Sequence, residues 1–89
     1  MEKSLEKHMT NVLNNHGVTG MICVDKHGLC LGVKGNADTK ASGCLAAISQ
    51  EAEKIIPNLD TPVVCIESSS SNILIKSHED CTTAIYKHN

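Results

Sequence analysis

The stretch DTKASGCLAAISQEAEKII, residues 38–56, decides the fold. Its apolar residues are Ala41, Cys44, Leu45, Ile48, Ala52, Ile55 and Ile56. Counted from Ala41 they fall at steps of 3, 4, 7, 11, 14 and 15, which is one stripe of a helix of period 3.6. Asn36 or Asp38 can cap its start, and Pro57 stops it, because the residue before a proline is pushed out of the helical region. The stripe predicts a helix lying on a sheet. Gly43, Ala46, Ala47 and Ser49, with Gln50 beside them, occupy its other faces. Such small residues allow a second element to come close, so this side reads as a seam with a partner helix.

Working outward, residues 2–15 read as a first helix with a thin apolar stripe at Leu5, Met9, Val12 and Leu13. Glu2 and Glu6 sit near its start, where the helix dipole favours acids, and Gly17 suits a left-handed cap at its end. Residues 18–24 are a strand. Asp25-Lys26-His27-Gly28 is a turn, with Gly28 able to take positive φ, and residues 29–33 return, making 18–34 a hairpin. After the main helix, residues 58–61 connect to a strand at 63–67 opened by Pro62, which suits an edge strand. Four serines at 68–71 turn the chain into a strand at 73–76. His78-Glu79-Asp80 turns it again into a last strand at 82–86.

The order is therefore α-β-β-α-β-β-β, an α+β sandwich in a single domain spanning residues 1–89. Short turns make the strands antiparallel neighbours, and the long helix is the crossover between the two groups. The runs Met21-Ile22-Cys23-Val24, Val63-Val64-Cys65-Ile66 and Ile73-Leu74-Ile75 are continuously apolar, so both sheet faces need cover. Only two helices supply it, one per face. The edge at Pro62, Val63, Val64, Cys65 and Ile66 is left open, and an open edge is a template for another strand.

Composition narrows the function classes. An 89-residue chain buries only roughly 60–65% of its unfolded surface, which favours completion by a partner. Leu, Ile and Val together number 21, and Tyr86 is the one aromatic residue, so the core is aliphatic. The net charge is −2 and the eight basic residues are scattered, which argues against nucleic acid. The five cysteines lie in apolar runs without C-x-x-C spacing, the pattern of reduced buried thiols rather than a disulfide framework. The opening Met1-Glu2-Lys3-Ser4 is not a leader or a myristoylation signal, and Tyr86-Lys87-His88-Asn89 is no prenylation box. Any membrane location is expected to come through a partner.

No catalytic constellation emerges. The run from Gly28 through Gly32-Val33-Lys34-Gly35 misses the G-x-x-x-x-G-K-[ST] phosphate loop, and its lysine falls in a strand. No His or Cys pair has zinc spacing; a site assembled across the fold, such as His78 with Cys81, stays open, with buried thiols and surface imidazoles the safer reading. A nucleophilic thiol needs an exposed, electropositive place. Cys23, Cys30 and Cys65 sit among aliphatics, Cys44 lies in the helix stripe, and Cys81 follows Asp80. The chain is expected to be no enzyme, with no cofactor and no metal.

Four segments carry a resemblance to a known family. They are Leu5-Glu6-x-His8, Cys23-x-Asp25-x-x-Gly28-Leu29-x-Leu31-Gly32, Pro62-Val63-Val64-Cys65-x-Glu67-Ser68 and Asn72-Ile73-x-Ile75-x-x-His78. With the element order, they resemble the roadblock/LC7-fold small subunits of the Ragulator complex, the hepatitis B X-interacting protein family. The match is diffuse but spans nearly the whole chain; residues 58–61, the serine run and the tail depart from it. The resemblance implies a five-stranded sheet ordered 2-1-5-4-3 without a third, C-terminal helix. It implies pairing with a second roadblock subunit through the central helices and third strands into a ten-stranded sheet. It further implies a scaffold that sits on the cytosolic face of the lysosome through a different, lipidated subunit. There it holds Rag GTPases for amino-acid-dependent activation of the target-of-rapamycin (TOR) complex. The alternative roles are a homodimeric roadblock-type dynein light chain or small-GTPase regulator, and, from a different class, a small enzyme or redox protein using Cys81 or Cys44.

Overall fold

The computed structural model describes residues 2–56, 62–78 and 80–88. Helix α1 runs Glu2–Leu13, followed by β1 Val18–Asp25 and β2 Cys30–Gly35. A single 3-10 turn, Thr39–Ala41, leads into α2, Ser42–Ile55. Strands β3 Val63–Glu67, β4 Ser71–Ser77 and β5 Cys81–His88 complete the order. All neighbours are antiparallel in one sheet ordered β2-β1-β5-β4-β3, as the family resemblance implies. α2 therefore joins the two opposite edges of the sheet. The expected stop at Pro57, the connector 58–61 and Glu79 of the β4–β5 turn lie outside the described residues.

Local chemistry sets the element ends. Gly17 takes φ 85° just past α1. In the first hairpin the Asp25 carboxylate accepts the backbone N–H of His27 at 2.8 Å and of Leu29 at 2.9 Å, and Gly28 takes φ 90°. Those bonds, the one from Leu29 first, hold the Asp25 carboxyl below its usual range. Asp38 acts as a cap, accepting from the N–H of Lys40 at 2.9 Å, but it caps the 3-10 turn. The α-helix proper starts four residues later than expected, where Ser42 Oγ donates to the Thr39 carbonyl at 2.7 Å.

Register places the two helices on opposite faces. Ile22, Val24, Ile75 and Ala84 form the core under α2, closed by Leu45 and Ala46. Opposed pairs such as Ile22 with Ala84 and Ile75 with Ala84 put these residues on one side of the pleat. The other face carries Met21 and Cys23, both 2% exposed, under α1. There Gly32, opposite Cys23, lets α1 descend: a Cβ at Gly32 would lie 2.9 Å from Met9 Sδ and 3.4 Å from Leu5 Cδ2. Met9 is fully buried as a result. Burial and the neighbouring Cys81 thiol push the Cys23 thiol up to about 12, so it stays protonated at neutral pH.

α2 is turned relative to the expected stripe. Its buried residues are Ser42, Leu45, Ala46 and Ser49. Cys44 is exposed, Ile55 is 79% exposed and Ile56 48%. The expectation that Cys44, Ile55 and Ile56 pack on the sheet is corrected, and so is the placing of Ala46 and Ser49 on a free side. Ala46, at 5% exposure, and Ser49, at 4%, are covered by the chain's own sheet. Leu45 and Ala46 close the core from the helix, and Ala41 and Ile48 pack against its margin.

Candidate protein-interaction surface

The turn of α2 leaves Ile55 on the outside and Ile48 only half-covered. Ala47, Ile48, Glu51, Ala52 and Ile55 line a shallow groove of about 360 Å³, whose floor is completed by Val64 of β3. The helix residues recur at spacings of one, three and four, so they share one face. Glu51 is the one charged residue in the lining, and Lys54 engages it at 3.2 Å. Burying such a surface is worth roughly 25 cal/mol per Å² of apolar area.

The groove continues onto the sheet edge. In β3 Val64 is half-buried, while Val63 is 58% and Ile66 44% exposed. β3 pairs with β4 alone, Val63 opposite Lys76 through Glu67 opposite Asn72, without a register shift. Its outer side therefore presents unpaired backbone donors and acceptors along a straight run. Cys65 is exposed there, and desolvation followed by the Glu67 carboxylate raises its thiol pKa. Pro62, half-buried, stands immediately before the strand.

The residues singled out from sequence thus divide. Ala47 borders the groove and Val64 floors it. Val63, Cys65 and Ile66 lie on the exposed edge strand. Gly43 is exposed with open space where a side chain would be, and its Cα lies under the hairpin turn at Gly28. Gln50 is exposed, but its Nε2 donates to the Lys26 carbonyl at 2.7 Å, which ties it to the chain's own hairpin. Ala46 and Ser49 are inside. Ile48, Glu51, Ala52 and Ile55 were missed as surface residues. The signal was present in part: the groove residues Ile48, Ala52 and Ile55 belong to the apolar stripe, whose Leu45 is buried.

Nothing in this surface resembles a catalytic arrangement. Among the described residues no three His, Cys, Asp or Glu side chains converge so as to hold a metal ion. No described helix is long and apolar enough to cross a membrane. What the surface can do is bury apolar area and extend a sheet.

Comparison with known proteins fits this geometry. The family model for "Ragulator complex protein LAMTOR5" matches residues 1–87. A LAMTOR5 homolog from Nematostella vectensis is 41% identical over 88 residues, covering 98% of this chain and 97% of its own length. The LAMTOR5 protein of Xenopus laevis is 35% identical over 88 residues, with the same coverage of 98% and 97%. Among solved structures, Myxococcus xanthus MglB superposes with a TM-score of 0.83 at 14% identity, covering 99% of this chain and 72% of that one. A roadblock/LC7 domain from Streptomyces avermitilis gives a TM-score of 0.76 at 13% identity, covering 90% of this chain and 74% of that one. At such identities the structures speak for the fold alone, which is the roadblock/LC7 fold. The family model and the relatives reach further: the chain belongs to the Ragulator complex LAMTOR5 family.

Proposed function

We propose that the chain is a non-catalytic scaffold subunit that heterodimerises with another roadblock subunit of a Ragulator-like complex. The observation that carries this is the apolar groove of α2 running without a break onto the open β3 edge. A partner of the same fold would lay its central helix in the groove and pair its third strand with β3, extending the sheet across both chains. Through the remaining Ragulator subunits the dimer would hold Rag GTPases at the cytosolic face of the lysosome for amino-acid-dependent TOR complex activation. A lipidated partner subunit would provide the anchor.

Co-expression with each roadblock subunit of the source organism's Ragulator, followed by mass measurement in solution, tests the reading. A one-to-one complex is expected. A chain that remains monomeric beside every such subunit overturns it. A stable homodimer that ignores them and binds a dynein intermediate chain or a small GTPase instead would favour the alternative role.

A further inference from the structure

α2 has a second functional-looking side. About half a turn around the helix from the groove lies a cavity of about 210 Å³, bordered by Lys26, Ser49, Gln50, Glu53, Ser77, His78, Cys81 and Thr82; the His78 Nε2 lies 3.0 Å from the Thr83 hydroxyl. It sits at the end of the sheet where the β1–β2 and β4–β5 turns meet α2. Three of its hydroxyl residues are core residues by burial: Ser49 is 4%, Thr82 5% and Ser77 8% exposed. In an otherwise aliphatic core, hydroxyls cost free energy unless they are hydrogen-bonded. Ser77 Oγ is satisfied, donating to Glu53 Oε1 at 2.9 Å. The Ser49 and Thr82 hydroxyls have no hydrogen-bond partner among the described residues. Among the described residues no fully enclosed side-chain oxygen is left unsatisfied, and both residues line the cavity, where their hydroxyls can meet a bound donor.

The inner wall is rich in acceptors. Glu53 has no cation within ion-pair distance among the described residues, and its second carboxylate oxygen is uncommitted. Gln50 spends its amide nitrogen on the Lys26 carbonyl, which leaves its amide oxygen as an acceptor. The two hydroxyls add two more. Lys26 borders the cavity with an exposed side chain, free to swing into water.

We propose that this cavity seats the guanidinium of an arginine presented by a different protein. A guanidinium offers five N–H donors in a planar fork, the number and spread that this set of acceptors can use, whereas an ammonium offers three from one point. The chain contains no arginine, so neither its own loops nor a second copy can supply the group. The site lies apart from the groove, and its failure would leave the scaffold reading standing.

Amide NMR of the intact chain, titrated with a capped arginine amide, a capped lysine amide, free arginine and acetate at constant ionic strength, tests it. Saturating shifts at Ser49, Gln50, Ser77 and Thr82 are expected with the capped arginine amide. Binding should weaken about tenfold in Glu53→Gln, which keeps an acceptor for Ser77. It should also weaken in Ser49→Ala, and tighten in Lys26→Gln through removal of a like charge. Shifts that never saturate, or binding unchanged in both Glu53→Gln and Ser49→Ala, would overturn the proposal. So would a response to acetate that is lost in Lys26→Gln, which marks an anion site. Capture of free arginine but not of the capped amide would point to a metabolite and equally overturn the protein-borne source.

Discussion

The two edges of this sheet are built differently. β2 at one end carries several devices that discourage pairing. Leu31 is an extra residue on its side, because Cys23 opposes Gly32 while Val24 opposes Cys30. Gly32 gives it no side chain, Gly35 turns it off with φ 65°, and Lys34 reaches back to Glu6 on α1 at 2.7 Å. β3 at the other end has no bulge, no glycine and no lysine, and it runs straight beside an apolar groove. A bulge and a lysine on an edge discourage sheet extension, and this chain places both on β2, while β3 carries its one charge at its last residue, Glu67. The asymmetry, more than the mere presence of an open edge, supports β3 as the end at which the proposed partner strand would be added.

The largest effect expected separates the two sides of α2. Ala46→Glu forces an unpaired charge beneath the helix, at a cost of several kcal/mol, a large part of the stability of a domain this size. Thermal unfolding by circular dichroism should show the native transition lost or strongly lowered. Ala47→Glu, one residue on, should leave the melting temperature of the isolated chain nearly unchanged and weaken the roadblock partner at least tenfold by calorimetry. Equal loss of folding in both variants would mean the helix is oriented otherwise.

Proline substitution then dissects the β3 edge. Successive residues of a strand turn their N–H groups to opposite sides, so one of Val64 and Cys65 donates to β4 and the other outward. Of Val64→Pro and Cys65→Pro, one should unfold the sheet edge and the other should fold but fail to pair, each losing about 3 kcal/mol in its own assay. Two variants that both fold and both bind would mean the edge is not used.

Lysine scanning compares the edges directly and should act more mildly. Ile66→Lys on β3 is expected to weaken partner binding several-fold, while Leu31→Lys on β2, whose leucine is 39% exposed, should change neither binding nor stability measurably. The smallest effect is a protection footprint. Alkylation of Cys65 should slow when the partner is added, whereas that of Cys30 on β2 should not, as followed by peptide mass spectrometry. Cys23 should stay unlabelled throughout, since its buried thiol titrates only at about 12.

Much of the fold was legible in the residues. The element order followed from the switch between continuous strand-like runs and helical spacing, and the turns at Asp25–Gly28 and the serine run came from their own side-chain chemistry. Strand order was legible only through the family resemblance, because antiparallel neighbours can be stacked in more than one way by the same turns. The rotation of α2 differs in part from what the spacing predicts. Of the stripe Ala41, Cys44, Leu45, Ile48, Ala52, Ile55 and Ile56, which the spacing assigns to the chain's own core, Leu45 is buried and Ala41 and Ile48 pack against the core, whereas Cys44, Ile55 and Ile56 are exposed; the rule at work is that the most apolar side faces inward. That rule holds for a monomer. In a subunit the most apolar side can be the one kept for another chain, and the inner side then needs only to fit.

The sequence by itself determined which segments form helices and strands, that the sheet ends in an unguarded strand, and that no cluster of chemical groups recurs at catalytic spacing. These follow from local periodicity and turn geometry, which act over a few residues. The tertiary structure alone decided which face of α2 is buried, that Ala46 and Ser49 lie beneath it, and that Ser49, Ser77 and Thr82 converge on one cavity. Those outcomes depend on volume: the space above Ile22, Ile75 and Ala84 takes Leu45 and Ala46, with Ile48 at its margin, and that space exists only when strands distant in sequence have come together.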